Sequence, residues 1–199
     1  MKQLQVIIIV FSLFLSSCGQ GQTTSKSDYK IDNNVQSQVD KQTTSSNGVA
    51  MGKMEIRMFE NDSLLFDTYG KDKKIEFFTM TTLQNDTIHI TGFAGMFAGF
   101  GFYLDIFGDS YELTYLAKSD AEIYKYNKSD TTLTFGLSVP CSETSLTLVS
   151  KPTFKQDDII SGVLELKSKD FWEVSNGKEK KYRIELRAYF KTGKIENRK

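Results

Sequence analysis

Nucleophilic catalysis needs a nucleophile with a base in reach, and this chain of 199 residues offers two cysteines, Cys18 and Cys141, and a single histidine, His89. Cys141 follows Pro140 at the end of an alternating run, and His89 sits between Ile88 and Ile90, where alternation turns it to water. Nothing in the sequence makes the two neighbours, and a thiol without a positioned base is not activated. One imidazole and one thiolate also fall short of the three or four ligands of a zinc site. Asp157-Asp158 and the stretch from Asp105 to Asp109 supply carboxylates, yet neither has the alternating ligands of a dedicated calcium loop. The 25 acidic residues always leave room for a strand-borne carboxylate pair, so a hydrolase of that kind stays open as the lesser reading. No Gly-x-Ser-x-Gly elbow, phosphate-cradling Gly-Lys-Ser/Thr loop or His-Glu-x-x-His helix is present. No catalytic residue, metal ligand or cofactor is therefore assigned, and enzymatic activity is not expected.

The chemistry of Cys18 is of another kind. Lys2 precedes an apolar run from Val6 to Leu15, followed by Ser16, Ser17 and Cys18. A run of ten residues, broken only by Ser12, is too short to span a bilayer, which takes about 20, and the three-part pattern is that of a secretory leader. Leu15-Ser16-Ser17-Cys18 resembles the lipobox of bacterial lipoproteins. That resemblance implies loss of residues 1–17 as a signal peptide, a diacylglyceryl thioether on Cys18, and a further acyl chain such as palmitate on its amine. Two or more chains anchor stably where a single one holds only reversibly. Gly19 and Gln20 follow, without aspartate, which in the resembled family implies delivery to the outer membrane, on its periplasmic face or at the cell surface.

Residues 18–50 are then read as the lipidated cysteine and a polar linker. Tyr29, Ile31 and Val35 are nearly the only large apolar residues in it. Such a composition buries too little surface to offset the entropy of ordering, so a disordered tether is expected. Lys and Arg balance Asp and Glu over the whole chain. This gives no basic excess to attract nucleic acid.

Residues 51–199 have the length of one domain with a hydrophobic core. Their apolar period is two: Phe100, Phe102, Leu104 and Ile106 alternate with Gly101, Tyr103, Asp105 and Phe107. Tyr182, Ile184, Leu186, Ala188 and Phe190 behave likewise, as do Leu133, Phe135, Leu137 and Val139. Turn formers punctuate these runs at Asn61-Asp62, Asn85-Asp86, Gly108-Asp109, Ser129-Asp130, Asp157-Asp158 and Asn176-Gly177. The pattern predicts an all-β domain, an antiparallel sandwich or barrel of about ten strands paired as consecutive hairpins, with no helix.

Two stretches depart from plain strand chemistry. From Gly92 to Phe102, four glycines interleave with phenylalanines and a methionine, and no charge appears. Glycines permit a bend there, while Phe93, Met96 and Phe97 near the turn could form an apolar lip over a ligand or against a partner. Phe97 is expected to be exposed and Phe102 to be core. The second stretch is Phe171-Trp172, beside charged neighbours, where Trp172 could line a binding surface or close the end of the core. Phe93, Met96, Phe97 and Trp172 are thus the candidate ligand or partner residues.

The lipobox, the polar tether and the strand pair Ile160 to Leu166 and Tyr182 to Leu186 together resemble small lipoproteins of Bacteroidetes-type bacteria. The likeness implies an envelope protein held in the membrane by lipid. It brings no active-site residues. The expected function is non-enzymatic, a monomeric β domain binding an envelope protein or surface component. The alternative is a carrier of a small apolar ligand. Cys18→Ala is expected to leave the chain without lipid and outside the membrane fraction, which fractionation and mass spectrometry of the N-terminal peptide would check.

Overall fold

The computed structural model describes residues 26–46, 49–193 and 196–197; the leader and Cys18 lie outside these. Among the described residues the strands are β1 (Ser27–Asp28), β2 (Lys30–Ile31), β3 (Thr44–Ser46), β4 (Val49–Glu60), β5 (Ser63–Asp67), β6 (Ile75–Gln84), β7 (Thr87–Gly95), β8 (Gly99–Phe107), β9 (Ser110–Lys118), β10 (Tyr124–Lys125), β11 (Gly136–Leu148), β12 (Ser161–Ser168), β13 (Phe171–Ser175), β14 (Lys178–Lys191) and β15 (Glu196–Asn197). One short helix, α1 (Gln36–Gln42), follows a 3-10 turn at Asn33–Val35.

Eight long strands pair antiparallel in the order β4, β6, β7, β8, β9, β11, β12, β14. β14 then pairs antiparallel with β4, so the sheet closes on itself. Of the two architectures open at sequence level, the fold is the barrel, an up-and-down meander with shorter strands added outside it. Three of the expected turns have the left-handed backbone that joins a right-twisted hairpin. Both central residues take positive φ at Asn61-Asp62 (48° and 67°), Asn85-Asp86 (48° and 58°) and Asn176-Gly177 (51° and 71°).

An eight-stranded barrel is just wide enough for side chains to fill it, and these do. Met54, Ile56, Phe77, Phe102 and Phe190 meet inside, with Phe102 edge-on to Phe77 at 5.6 Å between ring centroids. Gly92 faces the same space. A Cβ there would fall on the Phe102 ring, so the glycine is what admits the phenylalanine. The Phe100 to Ile106 and Tyr182 to Phe190 alternations point inward as expected. The run from Leu133 does not: β11 begins at Gly136, and Phe135 stands 53 % exposed before it.

Two features were not legible as such. Residues 26–46, part of the segment expected to be unstructured, lie along one end of the barrel as a strap. β1 pairs with β9, and β2 runs parallel to β11. The Tyr29 hydroxyl donates to the Gly108 carbonyl at 2.9 Å, and the Ser110 hydroxyl donates to Asp28 at 2.9 Å. Helix α1, where no helix was expected, sets Val39 fully out of water against β12 and β14. The strap secures itself by strand edges and one buried valine, which polar composition does not reveal. Phe102→Ala is expected to cost about 3–5 kcal/mol, the range for emptying a buried aromatic site, in denaturant melts. Val39→Asp should lower the midpoint as well, by putting a carboxylate where water is excluded.

Candidate functional site

The outer wall of the barrel has two unlike halves. On β4, β12 and β14 the outward positions carry charges of alternating sign. Arg187 meets Glu165 at 2.6 Å and Glu55 at 3.5 Å, Lys74 meets Glu55 at 2.9 Å, and Arg57 lies 3.5 Å from Glu185 and 3.4 Å from Asp67. The Tyr69 ring lies beneath both guanidiniums, 4.3 Å from that of Arg57 and 5.4 Å from that of Arg187. Burial pushes the Tyr69 hydroxyl up to about 12, so it stays a neutral platform. This wall is solvated and ion-paired. A barrel spanning a bilayer shows an apolar band outside and polar residues within, whereas here the interior is apolar and half of the exterior is charged.

From β6 to β11 the outside is instead apolar toward the lip, below which the polar row of His89, Asp105 and Glu112 begins. Cross-strand register aligns Phe78, Phe93, Gly101, Leu116 and Ser138 in one row. Phe78 and Phe93 meet edge-on, their centroids 6.1 Å apart. At Gly101 a Cβ would strike the Gly92 carbonyl, so the glycine lets β7 and β8 approach, and beside it a groove of about 410 Å³ is lined by Phe78, Phe93 and Leu116. Met80, Met96, Tyr103 and Phe135 stand exposed around it. The stretches Gly92-Phe93-Ala94 and Tyr115-Leu116-Ala117 are buried on both faces of the sheet. Those unbroken runs were the sequence signal for an apolar exterior, and alternation alone passes over it.

The four candidates are placed as follows. β7 and β8 end at Gly95 and Gly99, which pair, so Met96, Phe97 and Ala98 form the turn. Met96 is 83 % and Phe97 77 % exposed. Phe93 is buried in the groove wall. Thus the structure brings together Phe93, Met96 and Phe97 around one lip. Trp172 is apart from them, half-buried on the outer face of β13, paired in register with Lys181 and Lys125. It is Phe171, its neighbour, that closes the core.

The lip also borders the open mouth of the barrel, at the end away from the strap. There β10, β13 and the start of β14 form a flap whose inner face presents Tyr124, Phe171, Glu173, Lys180 and Tyr182. Phe171 stacks on Tyr182 with centroids 5.9 Å apart and meets Tyr115 at 5.8 Å and Tyr124 at 6.1 Å. Between flap and lip lies a pocket of about 240 Å³. The Tyr182 hydroxyl donates to Glu60 at 2.8 Å and the Lys180 ammonium donates to the same oxygen at 3.0 Å. Those two donors, Lys180 first, hold the Glu60 carboxyl below its ordinary range. Burial does the reverse to Glu173, raising its pKa, and pushes the Tyr124 hydroxyl up to about 12. These residues come from distant segments, and apart from Phe171, noted as the neighbour of Trp172, sequence reasoning singled out none of them.

His89 pairs with Asp105 at 2.8 Å on the outer face of β7 and β8. Cys141 packs half-buried against the core in β11, two strands away, and burial raises its thiol to about 12. The thiol is held protonated, with no imidazole beside it. Among the described residues no group of three or more His, Cys, Asp or Glu side chains could hold a metal ion, and no helix is long and apolar enough to cross a membrane. No family model, no curated protein and no solved structure matches the chain. Phe97→Ala is expected to cost well under about 1 kcal/mol, as exposed positions do, against the large loss at Phe102. Urea melts of the two variants side by side would measure the difference.

Proposed function

We propose that the chain is an envelope lipoprotein, anchored through lipid on Cys18, whose barrel captures a partner protein by the apolar groove between β6 and β11. One observation carries the binding half of this reading. Met80, Met96, Phe97, Tyr103 and Phe135 are exposed together on one side of the barrel, while the opposite side is covered by ion pairs. Scattered apolar residues on a surface need no explanation, but a contiguous patch around a groove is the mark of an interaction site. Aromatic and methionine side chains of this kind supply contact area and adapt to a partner's shape. The occupant that fits is an apolar segment of another protein, laid along the groove between Phe93 and Leu116 with the lip closing over one end. The anchor rests on the lipobox-like residues and the leader before them.

The groove also favours a second reading, a small apolar ligand carried on the outer wall. Its volume of about 410 Å³ lies within the span of pockets that hold such molecules. The filled interior gives no support to a ligand carried inside the barrel. Neither reading calls for catalysis, and no catalytic role is proposed for Cys141, His89 or the carboxylates.

Met96→Asp combined with Phe135→Asp puts two carboxylates beside the groove without touching the core. Chemical crosslinking in native membranes is expected to lose at least ten-fold of a discrete crosslinked species in this variant. Lys167→Ala, on the charged wall, should retain it. Native mass spectrometry of the purified chain separates the two readings, since a carried ligand would appear as a small added mass that the double variant lacks. Equal crosslinking in all forms, with no added mass, would overturn both.

A further inference from the structure

The mouth pocket is a site of different character from the groove. It is walled by aromatic side chains, Phe100 from β8, Tyr115 from β9, Tyr124 from β10, Phe171 from β13 and Tyr182 from β14, with Glu173 on the flap. We propose that it binds a small organic ammonium ion, the charge set against Glu173 and the alkyl surface against the aromatic rings. Rings attract cations through their electron-rich faces, and more strongly when water is excluded, which is how aromatic cages recognise substituted ammonium groups.

The charges around the pocket select this class. Lys180 faces the mouth but is already paired with Glu60, whose oxygen also accepts from Tyr182. Lys118 lines the rim from an exposed position at the end of β9, on the outward side of that strand. Lys180 stands opposite Glu173 in register and eases its charge, but its ammonium pairs with Glu60, and burial outweighs it in disfavouring the charged form of Glu173. A carboxylate partly drawn out of water and short of a hydrogen-bonded cation is costly, and a ligand that brings a positive charge relieves that cost. An anion would meet Glu173 unfavourably. A neutral apolar molecule would cover the carboxylate and leave it unsatisfied. The volume of about 240 Å³ suits a group of the size of choline, and Ala98 and Gly99 of the lip lie at the entrance.

Choline and its uncharged isostere 3,3-dimethylbutan-1-ol have the same shape and differ in charge, so the pair is a direct probe. The full chain, held in maltoside micelles and labelled with nitrogen-15, is titrated with each while the amide signals of Ala98, Gly99 and Ser119 are followed. Choline is expected to shift these signals saturably, and the isostere at least ten-fold more weakly. Glu173→Gln keeps the shape of the side chain and should weaken choline at least ten-fold, whereas Lys118→Ala should not. The wild-type chain provides a second measurement that does not depend on a variant folding. Protonation removes the charge of Glu173, so choline affinity must fall as the pH is lowered through the raised pKa of that group. The proposal is overturned if the isostere binds as well as choline, if Glu173→Gln and low pH leave affinity unchanged, or if choline produces no saturable shift.

Discussion

Everything in this molecule depends on the seam where β14 meets β4. The other barrel neighbours follow one another as successive long strands, but this pair joins the first to the last, with more than a hundred residues between them. Eight register pairs run from Tyr182 opposite Glu60 to Tyr189 opposite Lys53. A slip by one residue would turn every inward side chain outward, which the apolar run on β14 forbids. A slip by two keeps the faces but fails electrostatically. It sets Glu185 opposite Glu55 in one direction, or Arg187 opposite Arg57 in the other. In the observed register each of these charges meets its opposite. Single exposed ion pairs contribute little to stability. Here their sign pattern specifies which of several apolar-compatible closures forms.

Closure also explains why the outer wall is divided. Inside, the eight strands are equivalent, each sending alternate side chains into a space that Phe77, Phe102 and Phe190 already fill. Outside, nothing in the barrel requires an apolar residue. The charged half has a structural task at the seam. The half bearing Phe78, Phe93 and Leu116 has no such task at the seam, and these side chains leave a groove open to water. That absence of a folding role is what makes the groove, and not the core or the seam, the surface on which a function would be placed.

Local rules made much of this fold legible. The two-residue period and the Asx turns predicted the hairpins, and the glycine-rich stretch predicted the exposed Met96 and Phe97, because strand and turn preferences act over a few residues. Closure was not legible, since β4 and β14 carry no mark of each other beyond complementary charge. Phe135 misled because the alternation runs on past the point where Gly136 begins the paired strand. The strap misled in the other direction. Its strands pair through backbone groups, which every sequence has, and only Val39 contributes a buried side chain. The mouth pocket was invisible for a related reason, as Glu60, Tyr124, Glu173 and Tyr182 are brought together only when the meander closes.

The folded strap changes the mechanics of an anchored protein. Were all of residues 18–50 a loose leash, the barrel would roam and tumble freely above the bilayer. With the strap laid down from Lys26, only eight peptide units separate that residue from Cys18, a span of at most about 29 Å. On the anchoring proposed above, the barrel hangs close to the lipid, with the strap end toward the headgroups and the lip and mouth facing away. Encounters are then confined to a thin layer, in which the domain presents one pole to whatever passes and searches by lateral drift.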